Sequence, residues 1–142
     1  MPAIETTDWL ALKARVDTLV TDPAMQVFEP GAIFTAPSDV NGPAPYILLS
    51  DVTNDPERRG IDPRLHVRSG TLMLTVQWPI ARAVSHTQLK EIAGRIAAHF
   101  HADTCMRFGA SRLRVVSDAS ALPPYIDGAN RVAPVRVQWS SM

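Results

Sequence analysis

Residues 70 to 78, Gly-Thr-Leu-Met-Leu-Thr-Val-Gln-Trp, alternate between two kinds of side chain. Leu72, Leu74, Val76 and Trp78 take every second position, and threonine, methionine and glutamine stand between them. Because successive side chains of a strand point to opposite faces, this pattern predicts a strand with one face in a hydrophobic core. Any fold of this chain has to bury that face against a second layer of structure.

Residues 85 to 100 predict a helix that supplies such a layer. Ser85-His-Thr-Gln88 fits a capping box, in which the serine and glutamine side chains bond the first free backbone N–H groups. Apolar residues then recur at helical spacing: Leu89, Ile92, Ala93, Ile96, Ala97 and Phe100. We expect this apolar stripe to pack on the sheet.

Residues 7 to 21 predict an earlier helix, capped by Thr6 or Thr7, with Asp8 in its first turn. Pro23 is expected to end it. Its apolar positions fall at helical spacing: Trp9, Leu12, Val16, and Leu19 or Val20.

The other segments are less regular. Residues 22 to 45 are rich in proline and glycine, which leaves room for a short extended piece at 32 to 34. The apolar run at 46 to 52 predicts a strand buried on both faces. Residues 53 to 69 predict a long polar loop, and 112 to 116 and 135 to 139 predict two short final strands.

These elements predict one domain spanning residues 1 to 142, of the α+β class. We expect a single mixed, mainly antiparallel β-sheet of about four or five strands with two helices packed against it. Strands 46 to 52 and 70 to 78 are expected to pair antiparallel, and the last two strands to form a hairpin.

Composition excludes several classes of protein. Hydrophobic residues make up 46% of the chain, but no apolar run approaches the ~20 residues that cross a bilayer. Residues 1 to 8 carry neither a basic region nor an apolar run, so we expect no secretory or transit signal. Cys105 is the single cysteine, which excludes an intrachain disulfide and agrees with assembly in a reducing cytoplasm.

The formal net charge is zero, but its distribution is uneven. Residues 1 to 57 hold nine acidic side chains against Lys13 and Arg15, whereas residues 58 to 142 hold twelve basic ones against five acidic. One interpretation is a folded surface on which both signs intermix. The other is a polar subunit whose acidic and basic faces meet in neighbouring copies, which fits the dominance of arginine among the basic residues.

No constellation of residues predicts catalysis. The glycines follow neither a dinucleotide-binding nor a phosphate-loop pattern, and no nucleophile motif accompanies the isolated His66 and His86. His99, His101 and Cys105 come closest to a metal site, but histidines two apart on a helix point in different directions. The sequence therefore predicts no catalytic, cofactor-binding or metal-binding residue.

The long polar loop carries four arginines within eleven residues: Arg58, Arg59, Arg64 and Arg68. Acidic residues flank them, so the segment is of mixed charge and gives little support to nucleic-acid binding. Such a loop is either solvated or becomes ordered on a neighbouring subunit. We take the four arginines as candidate subunit-interface residues.

Several segments in order resemble one protein family across nearly the whole chain. They are the helix with Trp9 and Leu12, the extended residues 32 to 34, the strand at 45 to 49, the polar loop, the strand at 68 to 79, the helix ending at 96 to 100, and the closing strand at 134 to 139. Together they resemble the tail-terminator-like proteins of long-tailed bacteriophages and prophages.

The resemblance implies a structural protein of the virion tail and neck, without enzymatic activity or cofactors. In that family, subunits form a hexameric ring that caps the tail tube, stops its polymerisation and joins it to the head connector. The implied partners are further copies of the chain, the tail tube protein and a connector or stopper protein, with DNA passing through the lumen without sequence-specific contacts and no membrane. The alternatives are a head–tail stopper, a tube-like component or a small cellular binding domain.

Overall fold

The computed structural model describes residues 3–21, 24–31, 37–40, 42–54, 56–58 and 66–142, apart from the side chains of Asp39, Arg58 and His66. Two helices lie within these ranges, α1 at Ile4–Asp17 and α2 at His86–His99. The strands are, in chain order, β1 Gln26–Phe28, β2 Ser38–Asp39, β3 Gly42–Pro43, β4 Tyr46–Thr53, β5 Glu57–Arg58, β6 His66–Val67, β7 Ser69–Pro79, β8 Cys105–Phe108, β9 Ser111–Val115, β10 Ser120–Ala121, β11 Tyr125–Asp127 and β12 Asn130–Ser141.

The main sheet has eight strands, not the four or five expected from the sequence. Six follow the order β1-β4-β7-β12-β9-β8, and β10 and β11 both pair with β12. All these pairings are antiparallel except that of β1 with β4, so the α+β class and the mixed, mainly antiparallel sheet are confirmed. The additional strands are β1, β8, β10 and β11, each too short to show an alternating pattern.

The centre of the sheet is the antiparallel pair of β7 and β12. Its register runs from Asn130 opposite Pro79 to Ser140 opposite Ser69. The predicted antiparallel pairing of β4 with β7 is also confirmed, from Tyr46 opposite Gln77 to Thr53 opposite Gly70. The closing strand is therefore central, since β7 and β4 lie on one side of it and β9 and β8 on the other.

The predicted hairpin of the last two strands is wrong in its connection. β9 does pair with β12, through Val115 opposite Trp139, but β10 and β11 intervene along the chain. The hairpin partner of β9 is β8, with Phe108 opposite Ser111. The sequence does not reveal β8, because it has four residues, Cys-Met-Arg-Phe, of which only Met106 is buried, so no alternating pattern shows.

Both helices pack on the same face of the sheet, α1 against β8 and β9, and α2 against β12 and β10. The predicted capping box of α2 is confirmed, since Gln88 N–H donates to Ser85 Oγ and Ser85 N–H to Gln88 Oε1. Helix α1 begins at Ile4, earlier than predicted, without a side-chain cap. Thr7 is not a cap but lies buried against the sheet, and Val20 lies beyond the helix, exposed.

Four expectations for the first half change or lie outside the described residues. Strand β4 is not buried on both faces along its whole length, because Ser50 and Val52 are exposed beyond the reach of the short β1. Within the predicted polar loop, β5 and β6 pair as a short antiparallel ladder, with Glu57 opposite Val67. The extended piece predicted at 32 to 34 lies outside the described residues. The helix end predicted at Pro23 is wrong, because α1 ends at Asp17 and the Thr18 hydroxyl and N–H both donate to Arg15 O at its last turn.

The alternation predicted for residues 70 to 78 is confirmed, with Leu72, Leu74, Val76 and Trp78 buried. They join the inward residues of β4, β9 and β12 and the apolar sides of both helices in one core. Gly70 extends this face without a side chain, because a Cβ there would lie 2.5 Å from Val52 O and 2.8 Å from Trp139 Cζ2.

Gly70→Ala is therefore expected to destabilise the protein by about 1–3 kcal/mol, because the added methyl meets backbone and an indole ring that cannot both move away. The matched control is Gly94→Ala in α2, where an added Cβ meets nothing within 4 Å. That change is expected to stabilise the helix by roughly 0.5–1 kcal/mol. Urea unfolding measures both, and an unchanged or increased stability of Gly70→Ala would contradict the packing described.

Candidate functional site

The structure describes two of the four candidate interface arginines. Arg58 ends β5, opposite His66, and its side chain is not described. Arg59 and Arg64 lie outside the described residues. Arg68 is fully described and lies between β6 and β7, where the long polar loop rejoins the sheet. The structure therefore places Arg68 alone in a defined environment.

Arg68 makes an internal ion pair. Its Nε donates to Asp8 Oδ2 at 2.6 Å and its Nη2 to Asp8 Oδ1 at 3.2 Å, a two-point contact with a carboxylate that is almost wholly buried. Its backbone N–H donates to Ser141 Oγ at 2.9 Å, and Ser141 N–H donates to its carbonyl at 2.7 Å. Arg68 thus joins α1, the end of the loop and the end of β12 within one subunit.

The same carboxylate holds β9 against α1. Ser111 Oγ donates to Asp8 Oδ1 at 2.6 Å, and the Thr7 hydroxyl lies 2.6 Å from that serine oxygen. Thr7, Asp8 and Ser111 are all buried. The sequence carries one signal for this network: Asp8 precedes Ala11 and Leu12 by three and four residues, so a carboxylate falls on the apolar stripe of its helix.

A small cavity of about 100 Å³ adjoins this network, between the start of α1 and the end of β4. Asp51 and Trp139 line it, and Asp51 Oδ1 and Trp139 Nε1 are buried with no hydrogen-bond partner in the part of the chain that the structure describes. Burial raises the pKa of the Asp51 carboxyl, and the nearby Asp8 charge raises that pKa further. The ionised Asp51 carboxylate therefore lowers the stability of the folded protein at neutral pH.

Because the pKa of Asp51 is raised in the folded protein, this carboxyl binds its proton more tightly when folded than when unfolded. Its charge costs stability above the folded pKa, and that loss is regained as pH falls towards the unfolded value near 3.8. Asp51→Asn is expected to raise the melting temperature at pH 7 and to reduce the gain in stability on acidification.

The matched control for that variant is Asp103→Asn, which removes an exposed carboxylate and is expected to change stability by less than about 0.5 kcal/mol. Thermal melts from pH 4 to pH 8 compare the two variants with the parent protein. A lower melting temperature for Asp51→Asn at pH 7 would contradict this account, because it would show that the ionised Asp51 carboxylate stabilises the folded protein.

The residues weighed as a metal site have other contacts. His99 Nε2 lies 3.1 Å from Arg15 O and 2.9 Å from Thr18 Oγ1, and its burial lowers the pKa of the ring. The His101 ring contacts the backbone carbonyl of the next residue in the chain, and Cys105 lies exposed on β8. Among the described residues, no three His, Cys, Asp or Glu side chains lie close enough together to hold a metal ion.

Two open apolar grooves are the larger concavities. One, of about 460 Å³, follows the first turns of α2 beside Trp78. Its ionisable lining residue is Glu91, which pairs with Arg95 at 3.0 Å. The other, of about 570 Å³, lies between Pro37 and Ala44, which flank the β2–β3 ladder, and the adjoining ends of β7 and β12. The described lining of either groove includes neither histidine nor cysteine.

A hairpin of β11 and β12 borders the second groove at Ala129 and Asn130, and it exposes apolar side chains farther along β11. It turns at Gly128, whose φ of +60° suits glycine, and pairs Asp127 with Asn130. Tyr125 is 54% exposed and Ile126 is 68% exposed, and the nearby Ile80 is 43% exposed. Exposed apolar residues grouped at one end of a sheet are typical of contacts with another protein.

The fold is that of a small α+β protein with an exposed hairpin and two open apolar grooves. A model of the phage tail terminator protein family matches residues 9–139, nearly the whole chain. The chain belongs to this family, and it is accordingly a structural component of a phage tail. Neither helix in the described ranges is long and apolar enough to span a membrane.

A solved structure known by a sequence identifier alone has the same fold. It superposes with a TM-score of 0.69 at 18% sequence identity, covering 94% of this chain and 95% of the other. At that identity the likeness shows the fold and carries no statement about activity or partners. A comparison with curated proteins finds no match.

Proposed function

We propose that this protein is the tail terminator itself: copies of the chain form a ring that caps the tail tube, stops its polymerisation and joins it to the head connector. The observation that carries the proposal is the family match, which spans residues 9–139 and so covers every element of the main sheet and both helices in whole or in part. The protein acts in the tail and neck of the virion.

The form of the subunit supports assembly. The sheet ends in short strands, β1 at one edge and β8 at the other, and Phe108 of β8 is 43% exposed. Exposed strand edges are a liability for a monomer, and a neighbouring subunit relieves it by covering them. The exposed residues of the β11–β12 hairpin add a second surface that gains from being covered.

The proposed partners follow from that role. Further copies of the chain complete a hexamer, the tail tube protein meets one side of the ring and a connector or stopper protein meets the other. DNA passes through the lumen without sequence-specific contacts. The role requires no cofactor and no chemical step by the subunit, since capping a polymer needs binding alone.

Light scattering of the purified protein tests the ring directly. Each copy has a mass of 15.5 kDa, so a ring of about six copies has a mass of about 93 kDa. We expect this species at high protein concentration, with partial dissociation when the salt concentration is raised, because charged contacts between copies are screened. A monomer at every concentration and salt level would contradict assembly by the chain alone.

The same light-scattering measurement tests a separate proposal, that the arginines of the polar loop contact a neighbouring copy. If the loop bridges neighbouring copies, reversing the charge of Arg58 and Arg59 to glutamate is expected to lower the proportion of rings while leaving the far-ultraviolet circular dichroism unchanged. The double change Lys90→Glu and Arg95→Glu on α2 alters the net charge equally and serves as the control. Equal ring formation by both variants would exclude the loop from the interface.

A further inference from the structure

One face of the main sheet carries no helix. Both helices pack on the face to which Leu72, Leu74 and Val76 point. The opposite face is formed by the alternate residues of the same strands, which the register aligns: Ser50 with Met73, Met73 with Arg136, Ser140 with Arg114, and Arg114 with Cys105. This helix-free face is exposed at Ser50, Cys105, Arg114 and Arg136.

Four arginines project from the helix-free face, and we call them the arginine face: Arg107 on β8, Arg112 and Arg114 on β9, and Arg136 on β12. All four are exposed; Arg112, Arg114 and Arg136 have buried neighbours on both sides along the strand, and Arg107 follows the buried Met106. The remaining outward positions of β1, β4, β7, β12, β9 and β8 carry hydroxyl, amide, apolar or thiol side chains. Within these six described strands, no outward position is occupied by a carboxylate.

The arrangement is unfavourable in an isolated subunit. Arg107 lies directly opposite Arg112 across the β8–β9 ladder, and like charges at opposed positions repel. Asp103 is the carboxylate that reaches the group from outside these strands, at 3.5 Å from Arg114, and its side chain is 81% exposed. A surface of this kind gains most when a negatively charged partner covers it.

The chain itself supplies the complementary charge. Its total charge is zero, so outside the four arginines ten basic residues stand against fourteen acidic ones. Three exposed carboxylates surround α1, which lies on the other side of the sheet, and we call them the α1 carboxylates: Glu5 in its first turn, Asp17 at its end and Glu29 after β1. Lys13 of α1 links two of them, at 2.9 Å from Asp17 and 3.8 Å from Glu29.

We infer that the arginine face binds the helix-bearing side of a second copy of this chain, at the α1 carboxylates. The inference rests on the proposed ring and assigns its interface. Two different surfaces meet in such a contact, which is therefore head-to-tail. Head-to-tail contacts build a ring when the rotation between neighbouring copies closes on itself, as the proposed ring requires. Each copy offers its arginine face to one neighbour and its α1 carboxylates to the other. Burial of guanidinium groups against carboxylates strengthens the contact that each copy makes with either neighbour.

The experiment compares two double variants that change the net charge equally. Arg107→Glu with Arg112→Glu removes the net positive charge of the arginine face, because two glutamates then stand beside Arg114 and Arg136. Positions 107 and 112 remain a like-charge pair, so the repulsion between them is the same as in the parent protein. Lys90→Glu with Arg95→Glu makes the same change on exposed positions of α2. Masses are measured by light scattering at low salt, with thermal melts to show that both variants are folded.

We expect the first variant to lose the ring, with a fall in mass of about sixfold, while the second retains the mass of the parent protein. A ring formed equally by both variants would overturn the inference and leave the proposed function standing. A parent protein that is monomeric throughout would overturn the inference together with assembly by the chain alone. If the first variant keeps its ring but loses binding to a duplex DNA probe, the arginine face serves a polyanion and the inference is wrong.

Discussion

The antiparallel pairing of β7 with β12 is the interaction on which the rest of the structure depends. The two strands are the longest in the protein and pair from Ser69 to Pro79. Strand β4 adds to the free edge of β7, and β9, β10 and β11 add to that of β12. Because side chains alternate along every strand, this register fixes which residues face the helices and which face outward. A shift of one residue would exchange the core for the arginine face.

Polar contacts fix the helices on that sheet. Asp8 receives bonds from Arg68 and Ser111, so one buried carboxylate joins α1, the end of the polar loop and β9. At the other end of α1, the Arg15 guanidinium donates to the carbonyl of His99 at the end of α2. Breaking a buried pair such as Asp8 with Arg68 is costly because it leaves one charge unpaired. These contacts fix both helices to one side of the sheet, and the exposed residues of the arginine face lie on the other side.

The sequence predicted correctly those elements whose pattern lies within a few neighbouring residues. The capping box of α2 and the alternation of β7 need no distant partner to be recognised, and both are confirmed. Strand β8 was missed because Cys-Met-Arg-Phe becomes a strand through its pairing with β9. The Asp8 network joins residues 60 and 103 positions apart, and the arginine face requires the register of three strands. The sequence places Asp8 on the apolar stripe of its helix, but it does not show which distant residues meet in either group. Of the candidate loop residues, Arg68 is bound within the subunit, and the interface role of the others stays a prediction.

The central claim is that a second copy covers the helix-free face, and Cys105 reports on it most directly. It is the single cysteine of the chain, is exposed, and lies opposite Arg114 and two residues from Arg107. The measurement is the rate of alkylation of this thiol by a maleimide in dispersed subunits and in the assembled ring, at constant pH and salt with protein concentration as the variable. The account predicts markedly slower alkylation in the ring. Equal rates in the two states would contradict it.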